Sequence, residues 1–253
     1  MDKPLLSIVI PAYNEETRLP LTLGQISTFL DSQAYPAEII VVENGSRDRT
    51  LEIARDFTRQ IPYLRVFHEE RNGKGLAVRR GMLEAEGEYR FICDADLSMP
   101  IEEVNRFIPP ALNDADIAIA SREAPGAVRY DEPEYRHIVG RVFNTFVRIL
   151  ALPGLQDTQC GFKCFRGDIA EELFPKQTIS GWTFDVEVLY IARLREYQIM
   201  EIPIPWYFNP HSKVHVVRDS VQMFLDLLKI RFNDMRGHYK GDRHFESFQG
   251  SQK

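Results

Sequence analysis

Tyr89-Arg90-Phe91-Ile92-Cys93-Asp94-Ala95-Asp96 is the stretch on which the reading of this chain turns. Its first five residues form the short, largely apolar run of a buried strand, and two carboxylates follow one residue apart. A strand that ends in Asp-x-Asp delivers hard oxygen ligands to the rim of a sheet. Mg²⁺ or Mn²⁺ bridging a diphosphate takes a few carboxylates of this kind and leaves its other positions to phosphate and water. Alone, the pattern is equally a polar turn, so its meaning depends on what the rest of the chain brings beside it.

Outward from that stretch the chain alternates. Residues 5–10 form an apolar run closed by Pro11, residues 38–42 a second strand and residues 64–67 a short third. Helical spacing separates them: Leu19, Leu23, Ile26 and Leu30 mark residues 15–30, a second helix covers 48–60 with Ser46 or Asp48 as its cap, and a third covers 75–85. Downstream, residues 101–113 read as helix and 116–120 as strand. Short strands separated by helices imply βαβ units and a parallel sheet, whose ligands sit at the carboxyl ends of the strands.

The second half is less regular. A loop with Pro125, Gly126 and Pro133 leads to a helix over 139–150, a strand over 162–165, a helix over 184–195, a strand over 199–204 and a last amphipathic helix through Val221, Phe224, Leu228 and Phe232. No linker divides the chain, which reads as one domain over residues 1–236, with a polar and mobile tail over 237–253.

The predicted strand ends carry an assortment of chemistry along one edge. They deliver Pro11-Ala12-Tyr13-Asn14-Glu15, then Glu43-Asn44-Gly45-Ser46, then Asn72-Gly73-Lys74-Gly75, then Asp94-Ala95-Asp96-Leu97-Ser98, and finally Ser121-Arg122. A ring for a base, carboxylates for base or ribose, a metal and cations for phosphates together suit a nucleoside diphosphate. The loop at Lys74 reads as a helix entry able to cradle phosphate through its amides and its ammonium, although it lacks the full P-loop pattern. No Gly-x-Gly-x-x-Gly follows the first strand, which disfavours a dinucleotide-binding dehydrogenase.

The bulk numbers bound the rest. The 253 residues, 44% hydrophobic and 27% charged, suffice for an α/β core that needs no disulfides. A net charge of −6 gives no reason to expect nucleic acid. Cys93, Cys160 and Cys164 make an odd set without a paired framework, which points to a reducing cytoplasm. No secretory leader opens the sequence and no apolar run reaches the ~18–20 residues that cross a bilayer, so the expectation is a soluble protein or one lying peripherally on the cytoplasmic face of a membrane.

Taken in order, Ser7-Ile8-Val9-Ile10-Pro11-Ala12-Tyr13-Asn14-Glu15-Glu16, Val41-Val42-Glu43-Asn44-Gly45-Ser46-Arg47-Asp48 and Asp94-Ala95-Asp96 resemble a family 2 glycosyltransferase of the GT-A fold. Asp157-Thr158-Gln159-Cys160-Gly161-Phe162-Lys163, Trp182-Thr183-Phe184-Asp185-Val186-Glu187, Ser212-Lys213-Val214 and Asp226-Leu227-Leu228-Lys229-Ile230-Arg231 resemble its dolichyl-phosphate β-glucosyltransferase and polyprenyl-phosphate branch. The resemblance implies an α/β fold with a mostly parallel, Rossmann-like central sheet flanked by helices. Residues 1–122 would bind a nucleotide sugar, and an acceptor-side portion would span 123–236.

It also implies roles. UDP-glucose is the expected donor, its nucleoside held by Pro11, Tyr13, Glu15 and Glu43, with Lys74 toward the phosphates. Asp94 would stand near the ribose and the metal, Asp96 would be the main ligand of Mg²⁺ or Mn²⁺, and Ser98 a third, weaker ligand. In-line attack would invert the anomeric carbon. A polyprenyl phosphate is the expected acceptor; as a near-dianion at neutral pH it needs cations rather than a base. Arg122, Arg136 and Lys213 are the candidates, with Lys163 behind them. A hydroxyl acceptor needs a carboxylate base, and Asp185 falls where that base belongs. Its bland reading, with Glu187, is a carboxylate pair in a first helical turn.

The alternatives are a soluble hydroxyl acceptor, GDP-mannose as donor, a nucleotide-sugar-binding protein without turnover, and a nucleotidyltransferase. The helix over 139–150, with Phe143, Phe146, Arg141 and Arg148, and the last helix, with Lys229, Arg231 and Arg236, each offer a core face, a homodimer contact or a membrane-surface face.

Overall fold

Four strands run parallel at one side of the central sheet, the first, second and fourth mostly buried and the third partly exposed: β1 (Leu6–Ala12), β2 (Ala37–Glu43), β3 (Leu64–His68) and β4 (Tyr89–Ile92). The structure is a computed structural model and describes residues 3–210 and 216–240. Alternate β1 residues point to opposite faces, as the two-residue period of a strand requires. Ile8 and Ile10 pack with Leu19, Leu23 and Ile26 of α1 (Leu19–Asp31) and Ala54 of α2 (Thr50–Phe57). Val9 packs with Ala77, Val78 and Met82 of α3 (Lys74–Glu84). A sheet covered on both faces is why these strands read as continuous apolar runs.

The seven-stranded order is β3-β2-β1-β4-β7-β5-β8. Beyond β4 lie β7 (Lys163–Arg166), antiparallel to both neighbours, β5 (Ile117–Ser121) and β8 (Ile199–Pro203). One sheet thus takes strands from both sides of position 122. The fold expected for the central sheet, mostly parallel and flanked by helices, is the fold found. A small parallel pair, β6 (Val128–Tyr130) with β9 (Pro205–Tyr207), stands apart and stacks Tyr130 on Tyr207 at 4.6 Å. The remaining helices are α4 (Glu134–Leu150), α5 (Gly167–Leu173), α6 (Phe184–Leu194) and α7 (Val216–Met235).

Several expectations are corrected. Residues 101–113 form only a 3-10 turn over Ile101–Arg106, because Pro109 and Pro110 bring no N–H and push the residues before them out of the helical region. The second helix begins at Thr50; Asp48 Oδ1 accepts from the Thr50 amide at 3.0 Å, whereas Ser46 turns to the Asn14 amide at 3.0 Å. β6, α5 and β9 went unpredicted, each being too short to show a period. Within the stretch expected as a polar tail from Gly237, Tyr239 is buried and its hydroxyl donates to Glu187 Oε1 at 2.7 Å. Residues 241–253 lie outside the described residues.

Candidate active site

The chain order reverses between β1 and β4, and ligands of doubly wound sheets bind at such a switch point. Here the carboxyl ends of these strands open into a cleft of about 710 Å³, within the roughly 300–1,000 Å³ of small-molecule sites. Pro11 lies near the end of β1 and Tyr13 and Glu15 follow it, Asp94, Asp96 and Ser98 follow β4, Lys74 opens α3, and Arg122 follows β5; all eight line this cleft.

The Asp-x-Asp turn is held rigidly. Thr22 Oγ1 in α1 donates to the Ala95 carbonyl at 2.7 Å. Leu97 takes a left-handed conformation (φ 44°), and the Ser98 amide donates to Asp96 Oδ1 at 3.1 Å. Gly161 packs against Asp94 so closely that a Cβ there would lie 2.3 Å from Asp94 Oδ2. Lys74 Nζ sits 2.5 Å from Asp94 Oδ1 and 5.3 Å from the Trp182 ring centroid. Burial, then the Asp94 charge, pushes the Asp96 carboxyl above its ordinary value. Burial works to lower the Lys74 ammonium, but Asp94 and Asp185 outweigh it and raise it.

These residues fit a divalent cation. Two adjacent hard carboxylates, one of them destabilised by burial and by its neighbour, share a single ammonium. Among the described residues no cluster of three or more His, Cys, Asp or Glu forms a closed cage, so a cation here would complete its shell with substrate oxygens and water.

Below the turn lies a second charge pair. Lys163 is buried, with Nζ 2.9 Å from Asp185 Oδ1 and donating to the Cys160 carbonyl at 2.5 Å. It was expected behind the acceptor cations; instead it lies outside the cleft lining, because β7 runs inside the sheet between β4 and β5. Asp185 does line the cleft. Burial raises its carboxyl above the ordinary value, outweighing the opposing pull of Lys163 and then Lys74.

The loops after β2 and β3 are also internally bonded. Glu43 does not line the cleft; it accepts from the Ser46 amide and meets His68 Nδ1 at 2.5 Å. Asn44 ties the next loop down, with Oδ1 accepting from the Gly73 amide at 2.7 Å and Nδ2 donating to the Arg71 carbonyl at 2.5 Å. The Gly75 amide donates to the Ser180 carbonyl at 2.8 Å. The amides of Gly73 and Gly75 expected to cradle phosphate are therefore already engaged. Gly73 (φ 149°) is required, since a Cβ there would lie 2.4 Å from the Ser180 carbonyl.

The rest of the cleft lining includes cationic and aromatic groups. Arg122 makes a two-pronged pair with buried Asp157 at 2.6 and 2.9 Å and lies 5.3 Å from the Trp206 ring centroid. Burial tends to raise the Asp157 carboxyl, but the Arg122 charge and hydrogen bonds win and hold it at about 2. Arg136 lies 5.1 Å from the Phe208 ring centroid, and its buried Nε has no hydrogen-bond partner. Lys213 lies outside the described residues.

Other cleft residues escaped the sequence reading, Arg18, Trp206 and Phe208 among them. Arg18 pairs with Glu15 at 2.6 and 2.7 Å and leaves Nη1 buried without a partner; its signal was an acid three positions earlier. Trp206 and Phe208 line the cleft, and the run Pro205-Trp206-Tyr207-Phe208 was visible as an aromatic cluster without a period to interpret it.

Comparison with known proteins follows this geometry. The model of Glycosyl transferase family 2 matches residues 7–174. A dolichyl-phosphate beta-glucosyltransferase of Dictyostelium discoideum is 33% identical over 254 residues, covering 95% of this chain and 78% of that protein. The Homo sapiens protein of the same name is 33% identical, covering 93% and 77%. Among solved structures, glucosyl-3-phosphoglycerate synthase from Mycobacterium tuberculosis, in complex with Mn²⁺, UDP-glucose and phosphoglyceric acid, aligns with a TM-score of 0.63 at 19% identity over 90% of this chain and 79% of that one.

Proposed function

This chain belongs to glycosyl transferase family 2 and has the GT-A fold, and from that premise we propose that it transfers glucose from UDP-glucose to a polyprenyl phosphate of the dolichyl type, with inversion and with Mg²⁺ or Mn²⁺ bound. One observation carries the reading. Asp94 and Asp96 on one side, and Arg136 with its unpartnered Nε on the other, line the same chamber. A site suited to a departing diphosphate therefore faces a site suited to an anionic acceptor. The names of the relatives, 33% identical over nearly the whole chain, support glucose and dolichyl phosphate as the pair.

The chemistry follows from the residues. Pro11, Tyr13 and Glu15 enclose the nucleoside, with Glu43 fixing their neighbouring turn from behind. Asp96 and Asp94 are the residues that would hold the cation, with Ser98 beside them. When bound, the cation neutralises charge on the leaving diphosphate, a Lewis-acid contribution of about several kcal/mol. Lys74 steadies Asp94 and adds positive charge of its own. A phosphate monoester has its second pKa near about 6 and arrives largely deprotonated. One of its oxygens forms the new bond to the anomeric carbon as the bond to UDP breaks, and no proton has to be removed. Asp185, tied to the Lys163 ammonium, then orients the floor of the site instead of serving as a base. Arg136 holds the acceptor phosphate. Arg122, neutralised by Asp157, braces Trp206 at the acceptor wall. Three buried thiols accord with a reducing cytoplasm, and no helix among the described residues is long and apolar enough to cross a membrane.

The test is direct. Incubating the protein with UDP-glucose, a prenyl phosphate and Mn²⁺ gives an alkali-stable, mild-acid-labile glycolipid with one UDP released per transfer, and EDTA stops it. Transfer to a hydroxyl compound with none to any prenyl phosphate overturns the acceptor. Preference for GDP-mannose overturns the donor.

A further inference from the structure

Glu187, two positions beyond Asp185 in the first turns of α6, is fully buried and does not line the cleft. Neutral groups satisfy its carboxylate. Oε2 accepts from the amides of Thr178 and Ile179 at 2.8 and 2.7 Å, and Oε1 from the hydroxyls of Thr178 and Tyr239 at 2.5 and 2.7 Å. A buried charge is costly unless it is hydrogen-bonded, and these four donors offset that cost. They come from two segments far apart in the sequence.

The first segment, residues 177–180, is the wall on which α3 begins. The Ser180 carbonyl takes the Gly75 amide, and Gln177 Nε2 donates to the carbonyls of Gly75 and Ile179, both at 2.8 Å. Arg79, one turn further along α3, donates to the carbonyls of Phe174 and Pro175 at 3.0 and 3.1 Å. The approach is close: a Cβ on Gly75 would lie 2.6 Å from the Ile179 carbonyl. Lys74 stands between Gly73 and Gly75, so the reach of its ammonium to Asp94 is set by this wall.

The second segment is delivered by the way α7 stops. Gly237 takes a left-handed φ of 75°, its amide donates to the Asp234 carbonyl at 2.8 Å, and the His238 amide donates to the Asn233 carbonyl at 2.9 Å. These are the paired bonds of a glycine helix stop. The chain reverses there and brings Tyr239 to Glu187. Arg195 Nη2 holds the Tyr239 carbonyl at 3.0 Å, and Asn233 Nδ2 donates to Thr178 Oγ1 at 3.0 Å. Burial, then the Glu187 charge, pushes the Tyr239 phenol up, so it stays protonated and donates.

We infer that Glu187 is a positioning residue for the donor phosphates and that Tyr239 latches it: together they fix residues 177–180, and through them the start of α3, so that Lys74 is in place before a nucleotide arrives. This rests on the proposed function in that Lys74 then serves the UDP diphosphate; the latch itself needs no substrate. A cation fixed in advance binds without the cost of ordering it, and small displacements of such a group are felt strongly.

Hydrogen exchange of the full chain and calorimetric titration with UDP and Mn²⁺ test it. Tyr239→Phe removes one hydroxyl and keeps the ring. Protection of the amides over residues 73–79 is expected to fall about tenfold, while that of α1 stays within about twofold. The Kd for UDP and the KM for UDP-glucose should each rise about threefold to tenfold, with the KM for a prenyl phosphate unchanged within about twofold. Glu187→Gln, which sets an amide nitrogen against other donors, moves the same quantities further; Tyr239→Phe carries the test if that variant does not fold. Tyr190→Phe is the control, since its hydroxyl donates to Asp234 at 2.6 Å between the same two helices without touching Glu187. It should lower the melting temperature comparably and leave the Kd for UDP within about twofold. Unchanged exchange over 73–79 in Tyr239→Phe overturns the inference, and so does a Tyr190→Phe variant that weakens UDP as much. If the parent binds no UDP while Tyr239→Phe still releases protection over 73–79, the donor reading is wrong and the latch on α3 stands.

Discussion

The donor floor of the cleft and its α4–α7 side are built on opposite terms. On the floor and just behind its lining, charged groups meet protein partners: Lys74 on Asp94, Lys163 on Asp185, Glu15 on Arg18, Glu43 on His68 and the Ser46 amide. On the other side Arg122 is paired with Asp157, but a buried guanidinium nitrogen of Arg136 has no partner and large apolar side chains face outward. The floor, the Arg18 Nη1 apart, is organised before anything binds. The other side is completed by what binds. A site that must hold one small donor in a fixed pose gains from the first arrangement, and a site that must admit a long amphipathic acceptor gains from the second.

The strongest way to break this comparison is to remove a floor charge. Lys163→Met leaves Asp185 buried without its ammonium, and losing one partner of a buried pair costs about 3–5 kcal/mol. The melting temperature is expected to fall by roughly 6–20 °C for a chain of this size. Lys163→Met with Asp185→Leu should recover most of the loss, since no lone charge then remains. A single variant as stable as the parent would mean that the floor is held by packing alone.

Next in size is Asp96→Asn, which keeps shape and removes charge. If the carboxylates serve the leaving diphosphate, transfer falls about 100- to 1,000-fold, corresponding to about 3–4 kcal/mol of transition-state stabilisation. The melting temperature should hold or rise, because burial and Asp94 disfavour the Asp96 carboxylate in the folded protein. Steady-state release of UDP measures the first and a thermal melt the second. A loss of less than about tenfold removes Asp96 from the centre of the site.

The contrast also explains what the sequence could tell. β1 to β5 and the three helices between β1 and β4 were legible because a parallel sheet covered on both faces writes itself as apolar runs separated by helical periods. Pro11, Tyr13, Glu15, Lys74, Asp94 and Asp96 could be placed at strand ends for the same reason. The partner each had found could not be read, because Asn44 reaching Gly73 or Lys163 reaching Asp185 is set by tertiary approach across 29 and 22 positions. Lys163 was misread because an antiparallel strand between two parallel ones leaves no mark in local periodicity. The exposed stripe of α4 was legible as a stripe, but a stripe alone does not say whether core, partner or lipid covers it.

On the acceptor side the expected effect is smaller and specific to one substrate. Arg136→Ala removes a group that binds by charge-assisted hydrogen bonds, worth about 1.5–3 kcal/mol each. KM for the prenyl phosphate should rise about tenfold to a hundredfold, while KM for UDP-glucose stays within about twofold. Equal effects on both substrates would erase the division between the two walls.

The smallest effect lies where the walls join. Asp157 is buried against Arg122, and its carboxyl titrates at about 2 in the folded protein, below the unfolded value near about 3.9. A group whose pKa is lowered by folding stabilises above its unfolded pKa and loses that contribution as pH falls toward its folded one. The window therefore runs from about pH 4 down to about pH 2, and at about 1.4 kcal/mol per pH unit the loss is about 2–3 kcal/mol. Denaturant melts between about pH 5 and pH 2.5 should show the parent losing about 2 kcal/mol more than Asp157→Asn over the same range. Parallel losses would mean that Asp157 does not hold Arg122, and the Arg122 charge would then be available to the acceptor, leaving Arg136 one of two cations on that wall.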